Sequence, residues 1–151
     1  MLARVYVGAV VGAAVVAVCG GTGTSEGSTF APSAFHSSLS AKLTGKFEIP
    51  KGSPKGTGTA RITLDTKKGK ACWSLSVHGL DKLLAAHIHV GKPGKNGPVI
   101  IPLGAKYGAK GCIGVPRKSL LAVGRSPYGY YVNVHTRKYI NGAIRGQLQS
   151  A

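Results

Sequence analysis

Three histidines stand where their side chains could do chemistry together. His87 and His89 are one residue apart in "AAHIHVGKPGKNGPVIIPL", residues 85–103, and His135 closes the run "YYVNVH". Side chains alternate faces along a strand, so positions i and i+2 leave from the same side. On a strand, His87 and His89 therefore share a face, and His135 is in step with Asn133. If the two strands are neighbours, three neutral imidazoles converge, a set that suits zinc or copper. The same residues have a structural use. An imidazole can bond to a backbone carbonyl, or to a hydroxyl such as Thr136 or Ser76, and lock the loop "GKPGKNGP" against the sheet. His36 and His78 stand alone and read as surface or hydrogen-bonded residues, with His78 the one further histidine that could approach a site.

Other chemistries find little support. The four acids, Glu26, Glu48, Asp65 and Asp81, are far apart in sequence, so paired carboxylates for hydrolysis are not predicted. No serine occupies a G-x-S-x-G turn. "GKPGKNG" is glycine-rich, but Pro98 and a strand follow it, whereas a phosphate cradle needs a helix start. It reads as a surface turn carrying Lys92 and Lys95, candidates for an anion contact. Arg145, in "AIRGQL", is the one arginine in a tight motif. Between strands it should pair with backbone carbonyls or with Glu48, and anion binding is its alternative role.

The elements that must place these residues are strands. "ARITLD" sets Ala60, Ile62 and Leu64 against polar partners. "ACWSLSVHGL" puts Ala71, Trp73, Leu75 and Val77 on one face. "GYYVNVHTRKY" sets Tyr130, Val132 and Val134 against Tyr131, Asn133 and His135, and in "AIRGQLQ" Ile144 and Leu148 share a face. These period-two runs predict strands with one buried face. Turn signals separate them: "KGSPKGTG", "TKKGK", "GKPGKNG", "GAKYGAKG", "GRSPYG", and Asn141-Gly142, a hairpin signal. Beyond the leader no stretch has sustained helical periodicity; "SLLAV", 119–123, is long enough for one turn only. The expectation is an all-β fold, an antiparallel sandwich or barrel of Greek-key type.

Residues 1–19, "MLARVYVGAVVGAAVVAVC", carry one charge, Arg4, ahead of an apolar run, the layout of a secretory signal. The run is shorter than the roughly 20 residues of a spanning helix. Cys19 ends it and is a candidate for lipidation, although Val18 stands where lipoproteins usually carry Gly, Ala or Ser; otherwise Cys19 leaves with the leader. Residues 20–35 read as a flexible linker and 36–151 as the folded domain. Export implies an oxidising compartment, where Cys72 and Cys112 are expected to form a disulfide; their spacing is unlike that of thiolate metal ligands.

Twenty Lys and Arg face four acids, a formal charge of +16. Removing Arg4 with the leader leaves +15. Such a surface attracts polyanions. The basic residues are scattered and not interleaved with aromatics, so no specific nucleic acid is expected. An anionic surface, a glycan or a wall polymer is nearer at hand, and a membrane only through a lipid anchor.

The strands also resemble a known family. "SAKLTGKFEIP", "GTGTARITLD", "ACWSLSVHGL", "AAHIHVGKPGKNGPVIIPL" and "YYVNVHTRKYINGAIRGQL" are similar to successive segments of CHRD domains, the repeat of chordin and of many bacterial exported proteins. HIH-x-G-x-x-G-x-x-GPV and NVHT-x(5)-G-x-IRGQ carry the resemblance, which runs from about His36 to the C-terminus. In "KYINGAIRG", Ile140 and Ala143 replace a proline and an acid frequent in the family. The resemblance implies a fold and an extracellular, periplasmic or cell-surface location, and no established reaction or cofactor. A thinner likeness, to copper/zinc superoxide dismutases, rests on HxH, a later VH strand and a disulfide; the aspartate ligand of that family has no counterpart. The expected function is binding to an anionic surface or an unidentified protein partner, not turnover. The alternative is a copper or zinc domain using His87, His89 and His135.

Overall fold

The computed structural model describes residues 35–151. The leader, Cys19, Glu26 and nearly all of the linker lie outside the described residues. Nine strands follow in order: β1 (His36–Thr44), β2 (Thr57–Asp65), β3 (Lys70–His78), β4 (Leu83–Val90), β5 (Val99–Pro102), β6 (Lys110–Gly114), β7 (Tyr130–Thr136), β8 (Ile144–Gln147) and β9 (Gln149–Ser150). One helix, α1 (Arg117–Arg125), and two 3-10 turns, Gly45–Phe47 and Pro127–Gly129, complete them. All ladders are antiparallel. The order is β5-β4-β7-β8-β1-β2-β3-β6, with β9 beside β1, and the sheet curls into a half-barrel.

The apolar set of each period-two run lines the inside of the curl. Leu39, Ala41 and Leu43 of β1 pack with Ala60, Ile62 and Leu64 of β2 and Ala71, Trp73 and Leu75 of β3. Ala86 and Ile88 of β4, Val132 and Val134 of β7, Ile144 and Leu148 continue the core. Each Val, Leu or Ile among them contributes about 1.5–3 kcal/mol on leaving water. A shift of any strand by one residue would expose its whole apolar set, so the core fixes the register. Cys72 and Cys112 lie directly opposite each other on β3 and β6 and are bonded.

The helix α1 is a departure from the sequence reading, which allowed only a turn at "SLLAV". Pro116 stands at its N-cap, where a fixed φ and a missing N–H cost nothing. Leu120 and Val123, three residues apart, are fully buried and seat it on the core. With only two buried positions in nine residues the helical pattern is thin, and tertiary burial makes the helix. Asn141-Gly142 does lie in the β7–β8 connection, but that loop spans 137–143 and is not a two-residue turn.

Candidate metal centre

The register of β4, β7 and β8 assembles the site. His87 is opposite Asn133 and His89 opposite Tyr131, while Asn133 faces Arg145 and Tyr131 faces Gln147. The face away from the core therefore carries His87 and His89 on β4, Tyr131, Asn133 and His135 on β7, and Arg145 and Gln147 on β8. His87 and His135 are diagonal neighbours across this ladder, within reach of long side chains. One ring nitrogen from each of His87, His89 and His135 lies within 4.8 Å of the others.

Hydrogen bonding decides which nitrogens face one another. His89 Nδ1 donates to the Gly97 carbonyl at 2.8 Å, and His135 Nδ1 donates to the Ile140 carbonyl at 2.9 Å. A carbonyl only accepts, so both Nδ1 atoms carry the proton and both Nε2 atoms keep a lone pair in the neutral rings. His135 Nε2 is 3.1 Å from His87 Nδ1. His89 Nε2 is buried and has no hydrogen-bond partner. The convergent set is thus His87 Nδ1, His89 Nε2 and His135 Nε2.

The surroundings favour the neutral form of His87 and of His89. Burial, then the neighbouring His135 and His89, push His87 down to about 4 from 6.5. Burial lowers His89 as well, with smaller contributions from His135 and Arg145 in the same direction, opposed by its bond to Gly97. A neutral imidazole is the form that ligates a metal. His89 stacks on Tyr131 with centroids 5.0 Å apart and planes 9° from parallel. The Arg145 guanidinium lies 4.5 Å from the centroid of the Tyr131 ring.

The loop 91–97 is bound to this face. Besides accepting from His89, Gly97 donates its N–H to Tyr131 Oη at 3.3 Å. A Cβ on Gly97 would strike the Val90 carbonyl oxygen, so no other residue lets the loop come this close. Asn96 Nδ2 donates to the Ile49 carbonyl, and Asn96 Oδ1 accepts from Arg145 Nη1 at 2.7 Å. The expected histidine lock on "GKPGKNGP" is therefore present, through Nδ1 of His89, and it leaves Nε2 available. Its acceptor is a carbonyl of the loop itself, not Thr136 or Ser76.

The other sequence candidates fall elsewhere. His78 contacts Ser76 Oγ at 3.2 Å on β3, and exposed His36 approaches Asp65 at 4.0 Å. Lys92 and Lys95 are exposed on the loop. Arg145 is buried and takes Asn96 and the Tyr131 ring as partners; among the described residues it forms no ion pair with Glu48 within 4.0 Å. The sequence offered Glu48 only as a partner for Arg145, not as a buried neighbour of Asn133. The segment after β1 folds over the polar face, held by Ser53 N–H on the Ala143 carbonyl, and buries Glu48 against Asn133. Burial pushes its carboxyl up to about 7, although Arg145 and the Asn133 bond pull the other way.

Against known proteins, the family model described as CHRD domain matches residues 39–148. This chain belongs to the CHRD-domain family. The match spans β1 to β8 and so contains all three histidines, Arg145 and both bonded cysteines. No curated protein and no solved structure matches the chain. Membership in the CHRD family suggests a binding or interaction domain.

Proposed function

We infer that this CHRD domain binds one transition-metal ion, copper or zinc, through His87, His89 and His135. The observation that carries the reading is the buried, unpartnered Nε2 of His89, beside His135, which a carbonyl bond at the far side of its ring orients in the same way, and His87, which contacts His135. A buried polar atom without a partner is costly, and a metal ion would satisfy it. The fixed Nδ1–H···O=C contacts are those that orient ligating histidines in metalloproteins. Three nitrogens about 2.0–2.1 Å from one ion lie roughly 3.3–3.6 Å apart, so a pair at the 4.8 Å limit would close by about 1.2–1.5 Å. The fourth position is left for water or an exogenous group. On metal binding His87 would move its proton to Nε2, freeing Nδ1.

The test is calorimetric titration of untagged protein with Zn²⁺ and Cu²⁺. One equivalent should bind, and His89→Ala should weaken binding by at least a hundredfold. Equal binding by the variant would exclude the site.

A second reading, contact with an anionic surface or polymer outside the cell, has its own support. Val115 N–H bonds to the Gly69 carbonyl, which brings Lys67, Lys68 and Lys70 to the same end of the domain as Arg117 and Lys118. Adhesion there would weaken steeply with salt. Charge reversal at Lys67, Lys68 and Lys118 should lower the salt needed to elute the protein from an anionic polymer resin; unchanged elution would reject this surface. Export itself rests on the leader sequence.

A further inference from the structure

A cleft of about 350 Å³, with Arg145 in its lining, opens between the turn after β1, the tip of the 91–97 loop, the Pro127–Gly129 turn and β8. Its walls are unusual for this surface. Phe47, Ile49 and Tyr128 are 50%, 41% and 63% exposed, half of the domain's exposed large apolar side chains, and all three line this one cleft. Its remaining lining includes two ionisable groups that are almost wholly buried, Arg145 and Glu48, at 2% and 3% exposure.

These two form no ion pair within 4.0 Å among the described residues, although Arg145 is near enough to favour the ionised form of Glu48. Glu48 Oε1 is buried with no partner, and the Arg145 charge is met by a neutral amide and an aromatic face. Lys46, over the Phe47 ring at 5.0 Å, adds a second cation at the rim. Buried charge that lacks a counter-ion is expensive. Apolar walls enclosing a few convergent polar groups, in a volume of this size, are the usual make-up of a small-molecule site.

We propose that this cleft binds a small organic acid with a flat apolar body, its carboxylate directed to Arg145 and its body held between Phe47, Ile49 and Tyr128. A carboxylate supplies the closely paired counter-charge that Arg145 lacks, and the guanidinium donates charge-assisted hydrogen bonds to it. Glu48, raised towards neutrality by burial, opposes an anion less than an ordinary carboxylate would and, when protonated, offers a donor. None of the lining residues of the cleft is among the three histidines.

The test uses 3-phenylpropanoate as probe and 3-phenylpropanol as its uncharged counterpart, followed by amide chemical shifts and calorimetry. Measurements are made in chelator at about pH 6, where Glu48 is mostly protonated. The acid should bind at least tenfold more tightly than the alcohol and shift the amides of residues 46–49 and 145–147. Tyr128→Ala, an exposed change that spares the fold, should weaken the acid about fivefold or more by loss of the apolar wall. Arg145→Lys, checked for folding by its amide spectrum, should remove most of the preference for acid over alcohol. Equal affinity for acid and alcohol, shifts confined to other parts of the domain, or no binding of either at millimolar concentration would each overturn the proposal.

Discussion

Replacing Glu48 with glutamine removes a titration from the interior while keeping the shape of the side chain. The carboxyl is pushed from 4.5 to about 7, first by burial, against the pull of Arg145 and Asn133. A raised carboxyl favours the folded state only while it is protonated. Its contribution is complete below 4.5, falls as pH rises towards about 7, and is fully lost above that. The gap between the two values corresponds to roughly 3 kcal/mol. Glutamine stays neutral throughout and can still bond Asn133. Glu48→Gln should therefore match the parent at about pH 4 and exceed it by roughly 2–3 kcal/mol at about pH 8. His87 and His89 titrate in the opposite sense. Their folded values are lowered, so their contribution is present above 6.5 and lost as pH falls towards about 4 for His87. That loss is common to both proteins and cancels in the difference. Urea unfolding at a series of pH values, with the disulfide intact, reads the effect. A stability difference that is flat with pH, or a variant weaker than the parent at about pH 8, would refute the burial argument.

Other outcomes follow from the same geometry. Replacing Cys72 and Cys112 together by alanine releases a loop of 40 residues and should cost on the order of 3–4 kcal/mol in urea unfolding; a loss under about 1 kcal/mol would show that the bridge adds little to the ladder. Gly97→Ala should destabilise the domain by about 1–3 kcal/mol, because its Cβ meets the Val90 carbonyl, and should weaken metal binding through a displaced His89 partner. Unchanged stability and affinity would mean that the loop has room to move. Leu120→Ala, in the interior of α1, should cost about 2–5 kcal/mol, as expected of a core position; a loss under about 0.5 kcal/mol would show the helix to be an ornament on the sheet.

Much of this site could be read from alternation alone. "HIH" on β4 and the pattern Tyr131, Asn133, His135 on β7 set which side chains share a face, and the ladder then brings them together. The core faces of β2, β3 and β7 were legible for the same reason. What alternation cannot show is a cover. Glu48 sits in an aperiodic stretch and meets Asn133 from 85 residues away, and Asn96 reaches Arg145 from a loop 49 residues before it. Those partners depend on where the segments after β1 and β4 fold back. The carbonyl acceptors at Gly97 and Ile140 carry no side-chain signal at all, since every residue has a carbonyl. The helix α1 escaped because two buried residues decide it.

X-ray absorption of the untagged protein loaded with one equivalent of Zn²⁺ and then desalted tests the metal centre most directly. Three imidazole nitrogens should surround the zinc at about 2.0–2.1 Å, reduced to two in His89→Ala. Zinc washed away on desalting, or retained with only oxygen neighbours, would contradict it.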